Sequence, residues 1–205
     1  MKKLTQKIIE KYEKNSDKID WKKLVKTYNL SEPFIEKHKD RLDWNLISEY
    51  QVLSESFIEK HKNKVDWIWI SWHQKLSGPF IEKYKDKVNW AWVSGFQKLS
   101  EPFIEKYKDT VDWYIISCYQ KLSEPFIEKY KDKVDWGLIS AKQQLSSQFI
   151  IKMANYIDFK LLKKSKITVD IINKCYMNID LSLIKNKLKC KSIRPETRLY
   201  FMVQK

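Results

Sequence analysis

The chain has 205 residues, of which 43% are hydrophobic and 14% aromatic, and its formal net charge is +14. This composition excludes a disordered tail and a mini-protein, because it supplies enough apolar side chains for a substantial core. No apolar run approaches the roughly 20 residues that cross a bilayer, and the N-terminal segment lacks the apolar block of a secretory signal. We therefore expect an intracellular protein without a membrane anchor.

A short unit, about 23 residues long, recurs along nearly the whole chain. Phe159 and, one position early, Asp180-Leu181 continue a series of evenly spaced tryptophans: Trp21, Trp44, Trp67, Trp90, Trp113 and Trp136. We count eight copies. They predict one repeat domain, 1–205, in three parts: a diverged N-terminal cap repeat (1–29), regular repeats (30–144), and diverged C-terminal repeats with a cap (145–205).

Both ends of this domain need capping elements. Apolar residues spaced as on one helix face predict an N-terminal capping helix that carries Leu4, Ile8, Ile9 and Tyr12. Pro195 is placed to open a last helix that carries Leu199, Tyr200 and Val203.

The first half of each regular copy predicts an amphipathic helix. In the second copy Ser31 is an N-cap, and Glu32 follows in the first turn, where negative charge suits the helix dipole. The apolar stripe of this helix is Phe34, Ile35, His38 and Leu42. We expect the helix to end near Leu42.

The second half of each copy predicts another helix, capped by the Asp or Asn before the tryptophan. Trp44, Ile47, Ser48 and Gln51 share one face of this helix, and the same residue types recur in the other copies. Recurrence at these positions indicates packing against neighbours. We expect the serine to let helices approach closely and Gln51 to satisfy backbone groups of the turn before the next Leu-Ser start.

The chain contains three glycines and is rich in Glu, Lys, Leu and Ile, which favours helices over strands. A helix pair as short as one unit cannot bury its apolar stripe alone, so the copies must stack on one another. The predicted fold class is all-α, an α-solenoid of about eight stacked two-helix repeats.

The unit Leu-Ser-Glu-Pro-Phe-Ile-Glu-Lys-Tyr-Lys-Asp-Lys-Val-Asp-Trp, followed by Ile-Ser and Gln, resembles tandem short repeats in proteins of mimivirus-like giant DNA viruses. The resemblance covers roughly residues 4–192 and is specific for the middle six copies. It implies a viral origin and an intracellular role during infection, with the protein located in the host cytoplasm or a viral factory, or in a virion. It implies no activity and no functional residues.

The copies differ mainly at the first and fifth positions after each tryptophan, which share one helical face. The second and sixth positions are apolar and unusually bulky in the third and fourth copies. The candidate protein-binding residues are therefore Trp69, Trp72, His73, Ala91, Gly95, Tyr114, Cys118 and Tyr119.

Two interpretations of these aromatic residues are open. We expect Trp72 and Tyr114 to face outward as anchors for a partner, and their replacement by alanine to reduce partner recovery without unfolding the protein. Trp69, Trp92 and Phe96 are instead favoured as filling of the core between copies, with small residues nearby to keep the volume constant.

The positive charge is concentrated at the two ends of the chain. Residues 1–29 carry nine basic and four acidic side chains, residues 145–205 carry thirteen and four, and residues 30–144 are balanced. A groove that follows a phosphate backbone would carry net positive charge in every copy, so the balanced copies favour a solvated face. Nucleic acid stays as the alternative partner, through Lys22, Lys23, Lys26, Lys163, Lys164, Lys185, Lys189, Arg194 and Arg198.

No motif for catalysis or metal binding is present in the sequence. It has no Gly-rich phosphate loop and no nucleophile elbow, and His38 and His61 occupy the position of Tyr84 in other copies. The three cysteines have no metal-like spacing and are expected to be buried or incidental thiols. We expect no enzyme, no cofactor and no metal, but a repeat scaffold that binds a viral or host protein; a structural or assembly component of a virion is a further alternative.

Overall fold

The structure, a computed structural model, describes residues 2–3, 19–163, 166–184, 187 and 192–203. The chain forms two compact units, Met1–Val111 and Asp112–Lys205, which we describe one at a time. Whether the chain behaves as one repeat domain stays a prediction. The capping helix predicted at Leu4, Ile8, Ile9 and Tyr12 lies outside the described residues.

Two kinds of short helix alternate in the first unit. We call the helices that begin with a tryptophan the Trp helices and those that follow the capping serine the Phe helices. The Trp helices are Trp21–Thr27, Trp44–Tyr50, Trp67–His73 and Trp90–Phe96. The Phe helices are Glu32–Lys37, Glu55–Lys60, Gly78–Lys83 and Glu101–Lys106.

The same alternation opens the second unit and then degenerates. Its Trp helices are Trp113–Tyr119 and Trp136–Lys142, and its Phe helices are Glu124–Lys129 and Ser147–Lys152. The diverged part contains Val169–Cys175, a 3₁₀ turn at Tyr176–Asn178, Leu181–Ile184 and Pro195–Val203.

The predicted N-caps are confirmed. The Ser31 hydroxyl accepts a hydrogen bond from the Phe34 N–H, and the Asp43 carboxylate accepts bonds from two N–H groups of the following Trp helix. Helices of six or seven residues are too short to persist in water on their own. Capping and packing between copies therefore stabilise them.

The Phe helix of the second copy ends at Lys37, five residues before the predicted end at Leu42. The His38 N–H bonds to the carbonyls of both Phe34 and Ile35, which tightens the last turn. The chain then turns through 38–42, and Leu42 is still buried. The apolar spacing predicted the burial of Leu42 but not the helix end.

Consecutive Trp helices pack side by side within each unit. The Phe helices alternate with them along the chain. The isoleucine or valine three positions after each tryptophan is completely buried: Ile47, Ile70, Val93, Ile116 and Ile139. The tryptophan rings also reach the next copy, since Trp44 lies 6.3 Å from the ring of Phe57 and 4.5 Å from that of His61. The all-α solenoid is thereby confirmed in each unit.

Buried serines and glutamines join each copy to its neighbour. The Ser48 hydroxyl donates to the Trp44 carbonyl at 2.7 Å and accepts from the Asp66 N–H of the next copy at 2.9 Å. The Gln51 side chain accepts from the Leu30 N–H and donates to the Val25 carbonyl, both at 2.7 Å.

The glutamine therefore serves the turn that precedes the Phe helix of its own copy, where the preceding copy ends. The prediction that Gln51 satisfies the turn that follows it was wrong: the Leu53 N–H of that turn bonds to Gln74, one copy later. The chemistry of the contact was predicted correctly, but its direction was not.

The two diverged ends of the chain differ from a regular copy. Residues 159–162 form a turn where a Trp helix was expected, and Lys163 stands at the place of the buried serine. A lysine cannot occupy that place without desolvation of its charge, and here it is exposed. Lys166 replaces the glutamine and donates to the Leu145 carbonyl at 3.3 Å. At the other end, Lys2–Lys3 pair in parallel with Tyr28–Asn29, a contact that helical periodicity did not predict.

The last helix begins at Pro195 as predicted, and the side chain of Leu199 lies outside the described part of the structure. Phe201 and Thr197 are buried, whereas Val203 is 79% exposed. Tyr200 is half-buried and lies 5.0 Å from the ring of Tyr176. Of the cysteines in the described part, Cys175 is buried and Cys118 half-buried, and neither forms a disulfide.

Candidate docking face on the Trp helices

The candidate site is built from the positions of the Trp helices that are not used for stacking. We define the docking face as the first, second, fifth and sixth positions after each tryptophan. In the regular copies the third, fourth and seventh positions hold the isoleucine or valine, the serine and the glutamine that join the copies. The docking face is thus the part of each Trp helix that can vary without loss of these contacts.

The exposure of a docking-face residue depends on its position after the tryptophan. Residues at the first position are exposed in the first unit, with Ile68 51% exposed and Asn45 and Ala91 also at the surface. The uncharged residues at the fifth position in this unit, Trp72 and Gly95, are half-buried. At the sixth position His73 is exposed.

Phe96 lies at the surface, so the interpretation that it fills the core was wrong. Its side chain is 47% exposed, whereas Trp69 and Trp92 are half-buried. The sixth position lies at the C-terminal end of a seven-residue helix. Burial of the fifth position was also underestimated, because Trp72 is only partly exposed.

Three indole rings form one stack on the docking face of the first unit. Trp72 lies on Trp92 with ring centroids 4.3 Å apart and an interplanar angle of 3°. Trp69 lies 5.3 Å from Trp72 at 11°. Phe96 packs at an angle against both Trp72 and Trp92, and His73 lies 4.6 Å from Trp72. Helix-to-helix packing thus gathers residues from two copies into a single aromatic cluster.

The indole N–H groups of this cluster differ from those of the repeat tryptophans. The Nε1 atoms of Trp44, Trp67 and Trp90 each donate to a backbone carbonyl five residues earlier. Among the described residues, by contrast, no acceptor is bonded to Nε1 of Trp69, Trp72 or Trp92. These donors are available to a ligand or to water.

A group of lysines lies on the same face at the start of the first unit. Lys22, Lys23 and Lys26 occupy the first, second and fifth positions after Trp21, and all three are exposed. Lys26 Nζ lies 5.7 Å from the ring centroid of Tyr50, a docking-face residue of the next copy. The basic group and the aromatic cluster therefore belong to one continuous row of Trp helices.

The docking face of the second unit is also aromatic. Tyr114 and Tyr119 are 63% and 61% exposed, in agreement with the outward orientation predicted for Tyr114. Cys118, which is half-buried, and Tyr119 line a groove of about 310 Å³ together with Lys121 and Lys142. The groove adds an amphipathic hollow beside exposed tyrosines, which the sequence did not indicate.

The remaining basic residues named from the sequence are spread over the second unit. Lys163 and Arg194 are exposed, and Arg198 is half-buried. Lys164, Lys185 and Lys189 lie outside the described residues. Lys187 donates to the Ile167 carbonyl, so this lysine joins copies.

Charges in the regular copies form a ladder between Phe helices. Glu36 Oε2 lies 3.0 Å from Lys60 Nζ and 2.8 Å from His61 Nε2, both in the next copy. Glu59 pairs with Lys83, and Glu82 with Lys106, in the same way. Hydrogen bonds from Lys39, Lys60 and His61 lower the pKa of Glu36 to about 2. The acidic and basic side chains whose charges balance in the regular copies therefore form ion pairs between neighbouring copies, in addition to presenting a solvated face.

In the part of the chain that the structure describes, no helix is both long and apolar enough to cross a bilayer. Comparison with models of protein families, with curated proteins and with solved structures found no match. The resemblance to giant-virus repeats therefore stays a prediction.

Proposed function

We propose that the protein is a non-catalytic repeat scaffold that binds a protein partner on the docking face. The observation that carries this proposal is the division of each Trp helix. Its recurring residues are buried between copies, whereas its differing residues lie at or near the surface and are mostly apolar or aromatic. Exposed aromatic anchors with half-buried neighbours are characteristic of protein interfaces.

The repeat architecture supports the same proposal. Stacking through buried residues leaves the docking face free to change without loss of stability, as in other repeat proteins. The viral origin and the location in an infected cell, which the resemblance implies, are compatible with this role and form part of the proposal.

The test is selection of displayed random peptides on the immobilised full-length protein. The face variant is Phe96→Ser combined with Tyr114→Ser, both at well-exposed side chains, so folding should be retained. The matched control is Val52→Ser combined with Met177→Ser, which removes two exposed apolar side chains outside the docking face.

We expect enriched peptides to bind the wild type and the control equally and the face variant about tenfold more weakly. Circular dichroism checks that all three proteins are folded. Absence of enrichment, or equal binding to the face variant, would contradict the proposal. Trp72→Ala is less informative than the sequence suggested, because Trp72 is stacked on Trp92 and its loss would disturb packing.

A further inference from the structure

We infer that the docking face of the first unit takes an extended peptide that is acidic at one end and proline-rich at the other. This inference rests on the proposed function and specifies the chemistry of the partner. It follows from the lysine group, the aromatic cluster and the row of Trp helices that joins them.

The lysine group defines the acidic end of the peptide. Lys22, Lys23 and Lys26 project from one seven-residue helix, and all are exposed. In the described ion pairs of the first unit, the carboxylate ladder uses other lysines, those of the Phe helices and the following turns. Three exposed ammonium groups so close together favour a carboxylate-rich segment.

The aromatic cluster defines the proline-rich end. Trp72 stacks on both Trp92 and Trp69, and the cluster also presents the exposed Phe96 ring and indole N–H donors. Proline-rich segments in the polyproline II conformation bind surfaces of this kind, with prolines against the rings and backbone carbonyls accepting from tryptophan N–H groups. No lysine or arginine occupies the docking face of the third and fourth copies.

The row of Trp helices sets the distance between the two ends. Helices that pack side by side are about 10 Å apart, so the first and third Trp helices are about 20 Å apart. A peptide that rises about 3.3 Å per residue covers this distance with about six residues. The docking face of the intervening copy contains Asn45, Leu46, Glu49 and Tyr50, whose one carboxylate disfavours acidic residues in the middle of the peptide.

Single-stranded nucleic acid fits this face less well. A phosphate backbone needs cations along its whole path, and on this face they are confined to one end. Nucleic acid is nevertheless included in the test.

The test measures binding of labelled probes to the full-length protein by fluorescence anisotropy. The main probe has a run of glutamates, a Gly-Ser spacer of about six residues and a run of prolines. One comparison peptide replaces the glutamates by lysines, and another replaces the prolines by Gly-Ser. Oligothymidylate of similar length is the nucleic-acid probe. The charge variant is Lys22→Gln with Lys26→Gln, and its matched control is Lys62→Gln with Lys85→Gln, which removes two exposed lysines outside the docking face.

We expect the main probe to bind about tenfold more tightly than either comparison peptide. The charge variant should remove the advantage of the glutamates, and the control should keep it. Tighter binding of oligothymidylate, weakened by the charge variant, would overturn the inference in favour of nucleic acid. Equal binding of the three peptides would also overturn it. If displayed peptides of other composition still bind the docking face, only this inference fails; if no peptide binds, the proposed function fails with it.

Discussion

At the scale of single residues, the buried glutamines are the connections on which stacking most depends. Gln74 is 4% exposed, and its side chain accepts from the Leu53 N–H at 2.9 Å and donates to the Gln51 carbonyl at 2.7 Å. Both backbone groups lie in the turn at 51–53, where the preceding copy ends and the copy of Gln74 begins, and both are buried. One side chain thus satisfies a donor and an acceptor that the helices themselves do not use.

Replacement of Gln74 by alanine should lower the free energy of unfolding by about 2–4 kcal/mol, because it leaves a buried N–H and a buried carbonyl without partners. Urea denaturation followed by circular dichroism measures the change. Gln144→Ala is the matched control, since Gln144 is exposed, and its effect should stay within about 0.5 kcal/mol. A Gln74→Ala protein as stable as this control would show that the bonds are dispensable.

The carboxylate of Glu36 makes stability depend on pH. Its pKa lies at about 2 in the folded chain, against an ordinary value of 4.5. A carboxyl group whose pKa is lower in the folded state stabilises that state above its unfolded pKa, and the contribution disappears as the pH falls through the folded value. The wild type should therefore lose stability between about pH 4.5 and pH 2.

Glu36→Gln should reduce this loss, as measured by urea denaturation at a series of pH values. Lys60→Gln should raise the pKa of Glu36 in a carboxyl NMR titration, because Lys60 stabilises the ionised form. Lys62→Gln, which removes an exposed lysine that is not bonded to Glu36, serves as control. A titration of Glu36 unaffected by Lys60→Gln would refute the pairing.

At the scale of helices, a hydrogen bond joins the first turn of several Phe helices to the N-cap of the Phe helix one copy later. The first-turn glutamate accepts from the N–H of the capping serine one copy later: Glu32 from Ser54, Glu55 from Ser77 and Glu124 from Ser146. Gly78 stands at this position in the fourth copy, so that copy lacks the bond. Glycine also weakens a helix relative to most other residues.

Gly78→Glu should raise the free energy of unfolding by about 1–2 kcal/mol, from helix propensity and from a new bond to Ser100. Gly78→Ala isolates the propensity contribution, since a Cβ at this position would lie 3.4 Å from the Phe103 ring, an ordinary contact. Chemical denaturation compares the two variants. If Gly78→Glu is no more stable than Gly78→Ala, the glutamate bond does not form.

At the scale of the whole molecule, the bonds between copies join residues 18 to 26 positions apart, so each copy depends on its immediate neighbours. In a fold of this kind, stability is approximately a sum over copies and interfaces. Whole copies should then be removable, provided that the spacing of the repeat is kept.

Deletion of residues 54–76, one complete repeat, joins Leu53 to Ser77 and keeps every position equivalent. The protein should still unfold cooperatively, with unchanged helicity per residue by circular dichroism and a lower urea midpoint, because one interface is lost. Deletion of residues 54–73 shifts the copies out of phase and should abolish cooperative unfolding. Similar behaviour of the two deletions would argue against stacking in a fixed phase.

The sequence could predict what is decided within one copy. Ser31 and Asp43 cap their helices because the short polar side chain and the following N–H groups are neighbours in the chain. The early end at Lys37 and the missing helix after Phe159 were not predicted, since apolar spacing continues beyond the residues that can remain helical. Tyr114 was recognised as a candidate by its variable position and Tyr119 by its aromatic bulk, while the half-burial of Trp72 was not predicted.

The sequence by itself determined the repeat, the two helices of each regular copy and the recurring side chains that stacking buries, because periodicity and capping are local properties. The tertiary structure alone decided which copy Gln51 bonds to, how Trp69, Trp72 and Trp92 stack, and that Lys22 and Lys26 lie on the same row as that stack. Apart from the Trp69–Trp72 contact within one helix, these contacts and placements involve residues from different copies. They depend on how neighbouring helices pack, which a pattern within one helix does not specify.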